Sequence, residues 1–281
     1  MKRYIMTTIA LAVLFLAGLS ILLYPIVSDY LNSLSQTRVI SRFNEELAQL
    51  SESDYSEIIE AAREYNERLA SKPNRFALSE SELEEYHSIL DFTGRGVIGT
   101  LEIGVINVKL PVYLGTTETV LQVGVGHFEG TSLPIGGAGT HSVISGHRGL
   151  PSSTLFTNVD QLTIGDVFVL KILNETLTYQ IDNIAIVEPG NFDYLGIEAE
   201  KDYCTLSTCT PYGINSHRLL LRGYRIFTES GAPQAAGTYN IAADARRVST
   251  VVTYSLAAVP VLLFSFVFML VRYIKTIERR Y

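Results

Sequence analysis

Two stretches of the chain show no alternation of polar and apolar positions, because they contain no charged residue at all. Residues 4–27 run 24 positions without a charge and residues 249–271 run 23. As helices rising about 1.5 Å per residue, either could cross a hydrocarbon core of roughly 30 Å. They predict two transmembrane helices, with Pro260 tolerated inside the second because neighbouring groups can re-satisfy the freed carbonyl. Lys2 and Arg3 precede the first run, and Arg272, Lys275, Arg279 and Arg280 follow the second. Basic flanks of this kind mark both termini as cytoplasmic and place the intervening chain outside the cell membrane. Arg246 and Arg247 weaken that asymmetry without reversing it. A cleaved signal is the alternative for the first run. The run is longer than a signal core and no small-x-small site closes it, so an uncleaved anchor over 1–27 is the reading taken.

Between the spans the pattern changes twice. Over residues 36–70 apolar positions recur at Phe43, Leu47 and Leu50, then at Ile58, Ile59, Ala62 and Leu69, a helical spacing with one covered face. Lys72-Pro73-Asn74 interrupts it. Ser79 with Glu82 three positions on forms a capping signature for a second short helix to about Leu90, ended by Gly94 and Gly96. From Val97 the runs VIGTLEI, VINVKLPVY, THSVISGH, DVFVLKIL, TLTYQIDNIAIV, YCTLSTC and HRLLLRGYRIF are β-branched or alternating, with Gly, Pro and Asn between them. They predict a mainly β domain of seven to eight strands over 97–228, a closed antiparallel barrel or sandwich preceded by the helical region 28–96. Closure removes edges that an outside sheet would otherwise have to protect. Residues 229–248 are small and polar and read as a linker to the second anchor, with 272–281 as a basic tail.

Charge narrows the partners. Residues 28–245 carry 14 Lys+Arg against 28 Asp+Glu, which argues against a nucleic-acid partner. The two cysteines, Cys204 and Cys209, share one predicted strand, where five residues at about 3.3 Å separate them by roughly 16 Å, beyond the ~7 Å reach of a disulfide. They are therefore free thiols. Cys209 ends its strand just before Thr-Pro-Tyr-Gly, where a thiol can be exposed on a rim; Cys204 lies mid-strand and reads as a small core residue. No His/Cys/Asp cluster has metal-ligand spacing, and neither a metal nor a cofactor is expected.

Three stretches carry chemistry: GVGHFEGTSLPIGG around His127, SGHRGLPSSTLFTNVDQL around His147, and TLSTCTPYGINSHRLLLRG around Cys209 and Arg218. Acyl transfer from a peptide bond needs a nucleophile, a proton donor for the leaving amine and positive charge near the developing oxyanion. His147 follows a strand between Gly146 and Gly149, and Arg218 opens an apolar strand with a planar fork of donors. His87 reads as solvated, His217 as facing away from Arg218, and His127 and His141 as structural. The T-L-x-T-C segment, the Arg eight positions after Thr210, and S-G-H-R-G-L-P in the same chain resemble the sortases, and within them the pilin-polymerising class C group. The resemblance covers 97–228, and the two-anchor layout is similar to that class.

The resemblance implies a sortase-type barrel in which Cys209 attacks the Thr–Gly carbonyl of a Leu-Pro-x-Thr-Gly-like sorting signal, His147 acts as acid and base, and Arg218 stabilises the oxyanion. The partners it implies are pilin or surface proteins with such signals, and a second pilin's lysine as acceptor. Class C sortases usually carry an Asp-Pro-aromatic lid over the thiol; here the stretch reads Lys72-Pro73-Asn74-Arg75-Phe76, keeping the aromatic as Phe76 with Asn74 in place of the acid. Competing readings are a sortase anchoring proteins to peptidoglycan, a silent pilus-assembly scaffold, and a secreted cysteine protease, for which no papain-like pattern is present.

Overall fold

The structure, a computed structural model, describes residues 2–227 and eight further residues between 260 and 272. The expected linker 229–248 and most of the second apolar run and tail lie outside the described residues. Contacts divide the chain into two units, Met1–Leu31 with Arg246–Tyr281, and Asn32–Ala245. In the first unit the apolar run is helical, and among the described residues one helix is long and apolar enough to cross a membrane. That helix, α1 (Lys2–Leu47), runs unbroken through Pro25 and beyond the end of the apolar run.

The helix expected over 36–70 is two helices. Ser51 accepts from the Asp54 amide while the Asp54 side chain accepts from the Ser51 amide, and this capping box starts α2 (Glu52–Ala70) afresh. Leu50 is left in the joint. The Ser79–Glu82 box starts α3 (Glu80–Ile89) as read. Ala62, Tyr65 and Leu69 of α2 and Tyr86 of α3 are buried against the barrel, where Asn66 clamps Leu133 with one side-chain bond to its carbonyl (3.0 Å) and one from its amide (2.7 Å).

The second unit is a closed barrel of eight strands, in spatial order β1 (Val97–Ile103), β2 (Val108–Leu114), β3 (Val125–His127), β4 (Thr140–Gly146), β7 (Asp202–Thr210), β8 (His217–Arg225), β6 (Glu175–Val187), β5 (Val167–Ile172), with β5 pairing back to β1. Two details correct the expectation. The short β3, and the six-residue α4 (Glu118–Val123) before it, follow from no run in the sequence. The barrel is also mixed, since β2–β3 and β4–β7 pair in parallel. Parallel neighbours need a crossover, which α4 supplies for the first pair and β5 with β6 for the second. Inward residues such as Ile98, Leu101, Ile144, Leu170 and Leu206 are fully buried and fill the interior.

Candidate active site

The register of three neighbouring strands gathers the expected residues. In the antiparallel pair β7–β8, Cys209 lies directly opposite Arg218. In the parallel pair β4–β7, Ser145 lies opposite Ser207, and two residues further along each chain stand His147 and Cys209. One row across the barrel rim thus reads His147, Cys209, Arg218, although the three come from positions 71 residues apart in sequence. The Thr208 hydroxyl ties β7 to β4 at this row by donating to the Gly146 carbonyl (2.8 Å).

The sequence around His147 is used residue by residue. A Cβ on Gly146 would sit 2.7 Å from the Phe156 ring, so the strand end accepts no side chain there. Arg148, only 8% exposed, pairs with Asp160, donates to the Thr157 carbonyl (3.3 Å) and lies over the Tyr212 ring. Gly149 takes a left-handed turn (φ 82°), and the Phe156 amide returns to the His147 carbonyl (3.0 Å). Arg218 Nη1 donates to the backbone carbonyls of His217 (3.2 Å) and Asn215 (3.4 Å), which fixes the stem of the guanidinium.

The three side chains line one cleft of about 340 Å³. Its apolar wall comes from Phe128, Val143, Val187, Phe192, Leu195 and Leu220. Cys209 is half-buried at its edge, whereas Cys204 is fully buried and burial pushes its thiol well above the usual range. The two thiols are not bridged. A wider groove of about 750 Å³ lies around Asp202 and Arg225, where β7 begins and β8 ends. Its lining includes no cysteine, serine, threonine or histidine, and seven residues of β7 separate it from Cys209 by roughly 23 Å.

The other histidines are placed as read. His87 is exposed on α3, and His217, bonded to the Ser216 hydroxyl (2.9 Å), does not line the cleft. His127 is fully buried; its Nε2–H donates to the Ser132 carbonyl (2.8 Å), leaving Nδ1 to accept from the Tyr86 hydroxyl (2.8 Å). His141 donates from Nδ1 to the Gly196 carbonyl (2.8 Å) and accepts at Nε2 from the Thr205 hydroxyl (2.8 Å). Burial lowers both imidazoles to about 4, so both are neutral fixtures.

Residues 72–76 lie beside the cleft without lining it. Phe76 stacks on Phe192 (4.2 Å between centroids) and Phe128 (6.0 Å), both of which do line it. Arg75 lies over the Phe76 ring and donates to the Leu195 carbonyl, while Asn74 is exposed. One residue near the site has no counterpart in the sequence reading. Glu118, at the start of α4, places both carboxylate oxygens 3.2–3.3 Å from His147 Nε2. Gln122 donates to the same carboxylate (3.1 Å), and these contacts hold Glu118 below the usual carboxylate range, Gln122 contributing most. Nothing local in TTETVLQ announces a partner 29 residues away.

An arrangement of thiol, imidazole and guanidinium on one rim can form a thioester, move a proton and bind an oxyanion. Comparison with known proteins agrees with that chemistry. The sortase domain family model matches residues 101–226. Sortase C1 of Streptococcus agalactiae superposes with a TM-score of 0.65 at 47% identity, covering 68% of this chain and all of that one. Sortase C of Streptococcus pneumoniae gives 0.61 at 43% identity (68% of this chain, 97% of that one), and sortase C of Clostridium perfringens SM101 gives 0.58 at 40% (68% and 99%). Sortase D of Bacillus subtilis strain 168 is 32% identical over 131 residues, spanning 46% of this chain and 63% of that relative. The chain belongs to the sortase family of cysteine transpeptidases, and its structural relatives are class C sortases.

Proposed function

We propose that this chain builds covalent polymers of pilin subunits at the outer face of a membrane. The observation that carries the reading is the single row His147–Cys209–Arg218 on adjacent strands, opening into a cleft with an apolar wall. Cys209 attacks the Thr–Gly carbonyl of a Leu-Pro-x-Thr-Gly-like signal whose Leu and Pro lie against that wall. Arg218, anchored by its two backbone carbonyls, faces the oxyanion of the tetrahedral intermediate. His147 protonates the departing glycine amine, leaving a thioester and a neutral imidazole. A lysine amine of the next pilin then attacks, the C–S bond breaks, and an isopeptide bond forms. Support for the pilin acceptor comes from the relatives: the Streptococcus pneumoniae sortase C is described as having pilin substrate specificity. The reading includes α1 as a retained anchor, a second anchor at 249–271, cytoplasmic termini, and residues 72–76 as a partial lid pressing on the cleft wall through Phe76.

The test uses the full chain in detergent micelles with a fluorescent sorting-signal peptide, alone and with a lysine-bearing pilin domain. The expected products are a Cys209 thioester seen by intact mass and a peptide–pilin isopeptide linkage. Transfer to peptidoglycan amines but not to pilin would replace the polymerase reading with a wall-anchoring one, and hydrolysis alone would make the protein a protease.

A further inference from the structure

Glu118 poses a question of timing. Its carboxylate is 68% exposed and faces His147, whose charge comes and goes during the proposed cycle. While His147 is an imidazolium the pair is complete. Once that proton has left with the glycine amine, Glu118 stands beside a neutral ring and has lost its counterion. At that stage the second substrate arrives. A lysine side chain comes as an ammonium, and the fixed cation of the cleft, Arg218, repels it. Arg148, the other cation next to His147, is already paired with Asp160.

We infer that Glu118 is the receiving site for the cationic acceptor amine, holding the ammonium beside His147 at the thioester stage. This rests on the transpeptidase reading above and adds to it a residue and a substrate charge. Thr116 and Leu121, which flank Glu118 before and on α4, line the same cleft as His147 and Cys209, so the carboxylate that touches His147 stands at the α4 border of that cleft. The proton balance is complete. Neutral His147 takes one proton from the ammonium, and the freed amine lone pair attacks the thioester carbonyl. The C–S bond breaks to give the Cys209 thiolate, and the second proton of the new amide nitrogen passes to water. The resulting imidazolium again pairs with Glu118, and the free enzyme is restored. Gln122 holds the carboxylate at the His147 side throughout.

The experiment compares two amines at neutral pH with the full chain in micelles. One is an Nα-acetyl-lysine amide, a cation; the other is hydroxylamine, which is uncharged. Both intercept the same thioester, so effects on acylation cancel in the ratio of their kcat/KM values. The His147 proton step, which only the ammonium needs, is read in kcat, while capture of the cation is read in KM. Glu118→Gln lowers the lysine-to-hydroxylamine ratio roughly 1.5- to 5-fold, the range of an exposed ion pair, with the change in the KM for the lysine amine. Raising the salt brings the wild-type ratio down toward that of the variant. Glu188→Gln removes the carboxylate that lines the cleft from the β6–β7 connection and serves as the comparator. An unchanged ratio in Glu118→Gln, or a fall confined to Glu188→Gln, overturns the assignment while leaving the transpeptidase reading intact. A wild-type enzyme that forms the thioester but passes it to neither amine overturns both.

Discussion

The middle of the barrel and its rim hold the same residue types in opposite surroundings. Strand β7 carries Cys204 in the middle, fully buried with its thiol pushed up by burial, and Cys209 at the end, half-buried on an open cleft. Strand β4 repeats the contrast with His141 near its start, enclosed and lowered to about 4, and His147 just past its end, on the cleft and beside a carboxylate. Desolvation costs charge in the interior, so a thiol or imidazole there is held neutral and both faces of its chemistry are blocked. At the rim the same residue types line an open cleft. Exposure of a thiol or an imidazole in this fold is decided by position along a strand and not by residue type.

The largest expected effect tests that contrast directly. Cys209→Ala abolishes thioester formation, whereas Cys204→Ala retains turnover and loses modest stability, since it removes a small buried group. Intact-mass detection of the acyl-enzyme in each variant checks this, and an inactive Cys204→Ala beside an active Cys209→Ala would invert the assignment. Next come the partners in the row. His147→Ala and Arg218→Ala each lower kcat for peptide cleavage by roughly 10²–10³-fold, the cost of a lost oxyanion donor or proton carrier in acyl transfer. Arg218→Lys recovers little, because a point charge does not replace the planar fork; near-wild-type cleavage by that variant would show that charge alone suffices.

A third effect reads the interior histidines. His127 and His141 sit at about 4 in the fold and at the ordinary value near 6.5 when unfolded. The unfolded chain therefore binds more protons between those values, so stability is undiminished above about pH 6.5 and is lost as pH falls toward 4. Thermal unfolding followed by the near-ultraviolet signal of the tyrosines shows a midpoint that drops across that window. His141→Gln, which cannot take up the proton, shrinks the drop; a flat profile in the wild type would mean the two rings titrate normally and are not sealed. The smallest effect concerns the segment beside the rim. Phe76 braces Phe192 in the cleft wall, so Phe76→Ala speeds alkylation of Cys209 several-fold and Asn74→Asp slows it by giving Arg75 or Arg218 a carboxylate to hold. Unchanged rates in both variants would make residues 72–76 a structural strap with no influence on access.

Much of this was legible in the linear pattern. Alternating β-branched runs specified seven of the eight strands, and the Ser79 box specified α3, because side-chain periodicity and capping act over a few residues. Cys209, His147 and Arg218 stood out because each sits where a strand must begin or end, and such junctions are marked by Gly, Pro and Asn. The class resemblance rested on the same three segments.

What the sequence left open depended on pairing between distant segments. The parallel β2–β3 and β4–β7 ladders, and with them the departure from an antiparallel barrel, follow from crossovers that no local run encodes. Strand β3 is only Val125–His127, too short for a periodic signal, and exists because β2 and β4 flank it. The break at Ser51 divided a continuous helical pattern because a local cap outcompeted propagation. Glu118 was invisible for the same reason as β3. An exposed glutamate on a six-residue helix acquires meaning only when β3 and β4 bring His147 within 3.2 Å of it, and that distance is a property of the closed barrel rather than of either segment.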